Sequence, residues 1–119
     1  MAYLFGSRAR GLAEEDSDYD IAVFFGSGDI TVVDEVKLAV DLAKALEVPS
    51  YKVDVVALDR ADLSLIAEVL EHGIPIYYRS LEELRSWERK SYLKLLRSRG
   101  LDAVYLYKAL KRLKVKNLK

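Results

Sequence analysis

Four short apolar segments, separated by stretches with helical periodicity, limit this chain to few architectures. Residues 1–5, 19–25, 51–58 and 74–78 are rich in β-branched, aromatic and other apolar residues and are bounded by turn signals, which predicts strands. Residues 7–10, 33–46, a segment that ends at His72-Gly73, and most of the chain from Leu81 onward, interrupted at Gly100, have helical patterns. This order predicts an α/β layer fold with a small sheet.

The sequence also predicts which side chains share a face of a strand or helix and which residues cap the helices. In the third strand, Val53, Val55 and Ala57 are expected to face the core with Tyr51, and Lys52 and Asp54 to face the other way. Asp59 or Asp62 is expected to cap the next helix, and Gly73 to end it in the left-handed conformation. The helix over 33–46 has one apolar stripe, expected to face the core: Val36, Ala39, Val40, Ala43 and Leu46.

The net charge is zero, but the two halves of the chain carry opposite charge. With 119 residues, the chain is short enough to be one domain. Residues 1–78 hold 6 Lys/Arg and 15 Asp/Glu, whereas residues 79–119 hold 13 Lys/Arg and 4 Asp/Glu. We expect a core over 1–78 and a helical extension of the same domain over 79–119. The basic half is typical either of a solvated helical surface or of a surface that contacts nucleic acid or an acidic protein.

The absence of cysteine and of long apolar runs excludes several classes of protein and of site. The chain has no cysteine, which excludes disulfides and thiolate metal sites and fits a reducing cytosol. No apolar run approaches the ~20 residues of a membrane span, and no signal peptide is visible. The expected protein is cytoplasmic and has no membrane partner.

Two acidic residues begin the second strand. Asp18 and Asp20 lie two residues apart, so their side chains are expected on one face. At about 5 Å and an effective dielectric constant near 20, two such charges repel by about 3 kcal/mol. A divalent cation such as Mg²⁺ or Mn²⁺ reverses that cost, because both favour hard oxygen ligands. Asp54 joins the same surface if the second and third strands pair, as a metal ligand or as a proton acceptor; alone, it also fits an ordinary edge or surface residue.

A glycine-serine pair follows the first strand. Gly6 lacks a Cβ, so its backbone can approach a phosphate, and the Ser7 hydroxyl and the N–H groups of a helix start can donate to phosphate oxygens. Arg8 and Arg10 are within reach of the same anion. Taken alone, Gly-Ser after a strand is typical of a simple turn. The combination with the three aspartates favours a site for a metal-bound phosphate.

The stretch GSRARGLAEEDSDYDIAVFF, followed by KVDVVAL, resembles the minimal nucleotidyltransferases of the DNA polymerase β-like superfamily, whose signature is Gly-Ser, about ten residues, Asp-x-Asp and a later Asp. The motif GSRARG…SDYD is most similar to that of the MNT antitoxins that are encoded beside HEPN-domain RNase toxins. The resemblance covers roughly residues 3–78. Members of the family usually carry a helix before the first strand, whereas here the first predicted strand begins at residue 1.

This resemblance implies a mixed β-sheet flanked by helices and the transfer of AMP from ATP to a hydroxyl, with pyrophosphate leaving. Residue by residue, Gly6 and Ser7 would hold the triphosphate, Asp18 and Asp20 would bind metal, and Asp54 would complete the site. In the antitoxin family the acceptor is a tyrosine of the HEPN partner, so AMP addition silences the toxin.

Several other functions stay open at this point. One is an antitoxin that neutralises its partner by binding alone. Another is transfer to a small molecule of the aminoglycoside type, although 119 residues leave little room for an acceptor domain. A DNA- or RNA-binding role for the basic half and self-association as a C₂ dimer are further alternatives.

Overall fold

The computed structural model of the protein describes residues 1–98. The chain divides into two units, Met1–Arg79 and Ser80–Lys119. The first unit contains a sheet and three helices, and the described part of the second is one helix. The helix expected beyond Gly100 lies outside the described residues.

The first unit is built on a four-stranded mixed sheet, as the resemblance implies. Its strands are β1 (Ala2–Phe5), β2 (Tyr19–Val23), β3 (Val53–Ala57) and β4 (Ile74–Tyr77). They lie in the order β3-β2-β1-β4, in which β1 is antiparallel to β2 and β4 while β2 is parallel to β3. The helices are α1 (Gly6–Ala9), α2 (Val32–Leu46), α3 (Leu63–His72) and α4 (Leu81–Ser98). The parallel step between β2 and β3 is made by α2, as a parallel connection requires a crossover.

Helix α2 begins at a capping box and packs against β2 and β3. The Thr31 side chain accepts from the Asp34 backbone N–H, and Asp34 accepts from the Thr31 N–H at 2.8 Å. The core-facing stripe differs from the expected one, because Leu38 and Leu42 pack beside Ala39 and Ala43, whereas Val36 is exposed. The error arose because α2 is apolar on two sides, so periodicity alone did not identify the side that meets the sheet.

The structure decides which of the two candidate aspartates caps α3. Asp62 is the N-cap of α3 and accepts from the Leu65 N–H at 2.9 Å. Asp59 instead accepts from the backbone N–H groups of Phe25 and Gly26, each at 2.8 Å, so it fastens the chain after β2 to the chain after β3.

The left-handed conformation expected at Gly73 is wrong. Its backbone is extended, with φ of −69°. A Cβ at this position would lie 2.3 Å from the Val69 carbonyl oxygen and 3.2 Å from the Tyr3 ring. Glycine is needed there for the close approach of the chain, not for a positive φ.

Strand ends are shorter than the apolar runs predict. β2 ends at Val23, and short 3₁₀ helices, Ser50–Lys52 and Leu58–Arg60, replace the expected ends of β3. Tyr51 therefore lies outside the strand and is 77% exposed, contrary to its expected core position. Among residues 1–98, no helix is long and apolar enough to cross a bilayer.

Candidate active site

The register of the sheet brings two of the predicted carboxylates together. Asp20 and Asp54 are directly opposite each other on the parallel strands β2 and β3. Directly opposite residues on neighbouring strands face the same side of a sheet, so both carboxylates line one surface. Asp18 immediately precedes β2, where it is exposed to solvent.

The glycine of the Gly-Ser pair lies against the same carboxylate. Phe5 pairs with Asp20 across the β1–β2 ladder, which places Gly6 beside that aspartate. A Cβ on Gly6 would lie 2.1 Å from Asp20 Oδ2, and its φ is +71°. Both facts require glycine here. Ser7 follows at the start of α1, half-buried, and its carbonyl accepts from the Leu12 N–H at 3.0 Å.

The electrostatic state of Asp20 reflects this crowding. Partial burial raises the pKa of the Asp20 carboxyl above its ordinary value of 3.8, and the charges of Asp54, Asp18 and Glu68 raise it further, in that order. A cation bound between these carboxylates would remove the repulsion that raises this pKa.

Arg8 holds the loop that carries Asp18. Its Nε and Nη2 donate to the Ser17 carbonyl at 3.2 and 2.7 Å, and its guanidinium lies 3.9 Å from the centre of the Tyr19 ring. Lys52 donates to the Asp16 carbonyl from the β3 side. Two cations therefore fix the backbone on either side of Ser17, immediately before Asp18.

Arg10 is engaged by a residue that sequence reasoning missed. Its Nη2 lies 2.8 Å from Oε1 of Glu68 on α3, with both side chains partly exposed. Glu68 also raises the pKa of Asp20, so it is near the carboxylate surface. Nothing local in the sequence distinguishes Glu68 from other solvated helix residues, because its place depends on how α3 packs.

The donor set suits a hard divalent cation with few protein ligands. Within residues 1–98, no three Asp, Glu or His side chains are close enough to form a metal-binding cluster. The Asp20–Asp54 pair remains, and Mg²⁺ typically takes one or two protein carboxylates together with substrate phosphates. The residues present therefore fit a metal that arrives with a nucleotide.

Comparison with known proteins identifies the family of this chain. The family described as polymerase beta, nucleotidyltransferase matches residues 1–82. The chain belongs to this nucleotidyltransferase family. The matched range includes every residue discussed above, from Gly6 to Glu68. No curated protein matches the chain in sequence.

Solved structures similar to this nucleotidyltransferase are toxin–antitoxin complexes. A toxin–antitoxin with AMP-PNP is 29% identical, with a TM-score of 0.67 over 83% of this chain and 78% of that one. A tri-AMPylated HEPN toxin from Shewanella oneidensis in complex with an MNT antitoxin is 27% identical, with a TM-score of 0.60 over 83% and 75%. The toxin–antitoxin MntA-HepT is 27% identical, with a TM-score of 0.59 over the same shares.

The structure thus places the seven predicted site residues in two groups. Gly6, Asp20 and Asp54 meet on neighbouring strands, with Ser7 and Asp18 next to them in the chain. Arg8 and Arg10 instead make contacts within the protein, to Ser17 and to Glu68.

Proposed function

We propose that this nucleotidyltransferase transfers AMP from ATP to a tyrosine hydroxyl of a HEPN-domain toxin and thereby acts as its antitoxin. The observation that carries the proposal is the opposed pair Asp20–Asp54 with Gly6 packed against it. The similar structures support the acceptor, because one holds AMP-PNP and another holds an AMPylated HEPN toxin.

The proposed reaction is an in-line displacement at the α-phosphorus of ATP. The acceptor oxygen forms a bond to the α-phosphorus, the bond from that phosphorus to the bridging oxygen breaks, and pyrophosphate leaves with the electron pair. Asp54 accepts the proton of the attacking hydroxyl. Gly6 and Ser7 hold the triphosphate, and residues 1–78 form the catalytic core.

Asp20 and Asp54 would hold Mg²⁺ or Mn²⁺ together with the substrate phosphates, with Asp18, next to them in the chain, as the further carboxylate that the Asp-x-Asp pattern predicts. A bound divalent cation would neutralise charge on the phosphates and orient them for in-line displacement. The protein contributes by positioning Asp18 through Arg8, which holds the Ser17 carbonyl. Glu68 orients Arg10, whose other N–H donors stay available for phosphate.

A non-catalytic antitoxin is the second candidate, and one observation favours it. Both arginines that were expected at the phosphates already have partners inside the protein. In that case the protein would neutralise its toxin by forming a complex, without transferring a nucleotide.

Labelling separates the two candidates. The full chain is incubated with the proposed HEPN-domain partner, Mg²⁺ and ATP labelled at the α-phosphate. We expect label on a partner tyrosine, identified by mass spectrometry, and its loss in Asp20→Asn and Asp54→Asn. Asp41→Asn, an exposed acidic residue of α2, is the matched control. A stable complex without label would support the binding-only antitoxin instead.

A further inference from the structure

A groove beside the outer edge of β3 lies next to the proposed acceptor position. It has a volume of about 400 Å³ and is bordered by α2 and β3. Its lining includes Val32 and Val36 of α2, Tyr51, and Asp54 and Val55 of β3. Asp54, which carries one of the proposed catalytic carboxylates, therefore also borders this groove.

The order of the strands determines the side from which an acceptor approaches. Gly6 follows β1, Asp20 lies on β2 and Asp54 lies on β3, so the site crosses three neighbouring strands in that order. In-line displacement puts the attacking and leaving oxygens on opposite sides of the phosphorus. With pyrophosphate held at Gly6 and Ser7, the acceptor hydroxyl must be on the β3 side. Because β3 is an edge strand, that side opens outward to the groove.

The edge of β3 offers backbone groups to only a short partner segment. The Ala57 N–H points away from β2 and donates to Glu35 at 2.7 Å, and the Val53 N–H donates to the Ser50 carbonyl. In a parallel ladder alternate residues direct their N–H and C=O groups to the same side, so those of Val55 also face outward. Glu35 and the 3₁₀ helix thus close the two ends of the edge, so the outward-facing backbone groups between them are those of Val55, a residue that is 6% exposed.

The groove is apolar where side chains of such a segment would lie. Val32 and Val36 are 59% and 55% exposed, and they belong to the second apolar side of α2, the one that does not face the sheet. This explains why α2 is apolar on two sides. Among the described residues that line the groove, the charged ones are Glu35 and Asp54, with no Lys or Arg, and residues 1–78 carry 15 Asp/Glu against 6 Lys/Arg. Charge complementarity therefore favours a partner segment that carries Lys or Arg.

We infer that this groove binds an extended, basic segment of the acceptor protein, which pairs with the backbone of Val55 and presents its hydroxyl to Asp54. The inference rests on the proposed function and names the surface that selects its protein substrate. Strand addition supplies the backbone bonds, and the valines of α2 supply side-chain selectivity.

The test compares two arginine substitutions on one helix. Val36→Arg adds a bulky cation in the groove, whereas Val33→Arg adds the same charge at a 59% exposed position that does not line it. Steady-state AMP transfer is measured over ranges of partner protein and of ATP. Val36→Arg is expected to raise the KM for the partner by about tenfold or more, with a much smaller change in the KM for ATP. Val33→Arg is expected to match the unmodified protein.

The outcomes separate this inference from the proposed function. If the unmodified protein labels its partner and Val36→Arg does so with the same KM, the groove is not the acceptor site although the transferase activity stands. If the KM is unchanged but Val36→Arg converts a dimer to a monomer by light scattering, a second copy of the chain occupies the groove. If the unmodified protein transfers no AMP, the proposed function fails and this inference fails with it.

Discussion

At the residue scale, the site depends on one glycine that has no alternative. Gly6 has a φ of +71° and leaves no space for a Cβ beside Asp20, so two independent constraints coincide at one position. Gly11 has the same φ, but nothing lies within 4 Å of its Cβ position. Substitutions at the two glycines therefore distinguish the effect of backbone strain from the effect of a clash with Asp20.

Gly6→Ala and Gly11→Ala form a matched pair. Each is expected to destabilise the fold by about 1–2 kcal/mol, because alanine is strained at positive φ. Only Gly6→Ala should also displace the Asp20 carboxylate and abolish Mg²⁺-dependent nucleotide binding. Chemical denaturation and nucleotide titration measure the two effects. Equal nucleotide affinity in both variants would show that Gly6 is only a turn residue.

The raised pKa of Asp20 predicts a measurable pH dependence. In metal-free protein the Asp20 carboxyl should titrate above 3.8, and Asp54→Asn should lower its pKa more than Asp18→Asn does. Because folding raises this pKa, ionised Asp20 opposes folding above the folded pKa, and the penalty disappears as the pH falls through it. Asp20→Asn should therefore raise the melting temperature at pH 7 in EDTA. Carbon NMR titration gives the pKa values, and an Asp20 carboxyl that titrates at its ordinary value would contradict this.

At the element scale, the strands and helices were predictable from periodicity, but the contacts between them were not. The alternation in residues 53–57 and the Asp-x-Asp pattern predicted that β2 and β3 could align three acidic residues on one surface. The actual register, with Asp20 opposite Asp54, confirms the pairing of these strands. The orientation of α2 and the position of Glu68 depend on tertiary packing, which no local pattern contains.

The loop between α1 and β2 is another place where the sequence predicted the residue but not its contacts. The sequence suggested Arg8 as a phosphate ligand, whereas its guanidinium fork donates to the Ser17 carbonyl and lies over Tyr19. A charged residue near a phosphate signature has many partners within reach, and the loop conformation decides among them. We therefore regard Arg8 as a positioning residue for Asp18.

Arg8→Lys tests this role because it keeps the charge and removes the fork. We expect kcat to fall by about tenfold as Asp18 loses its fixed position. The KM for ATP should change much less. Arg89→Lys, an exposed position on α4, serves as the control. A change confined to the KM for ATP would instead assign Arg8 to the phosphates.

At the scale of the whole molecule, an acidic segment and a basic segment are joined in one chain. Residues 1–78 carry the aspartates and the groove, and residues 79–119 carry 13 of the 19 Lys and Arg. An acidic surface repels ATP unless a divalent cation comes with it. Nucleotide binding should therefore depend on the metal, and the repulsion that raises the pKa of Asp20 should be the interaction that the metal removes.

The most direct measurement is calorimetric titration of the full chain with AMP-PNP, with and without Mg²⁺. We predict that binding requires Mg²⁺ and is weakened by about tenfold or more in Asp20→Asn, as expected for the loss of a metal ligand. Asp41→Asn should bind as the unmodified protein does. Equal affinity without Mg²⁺, or undiminished affinity in Asp20→Asn, would contradict the assignment of this carboxylate surface as the nucleotide site.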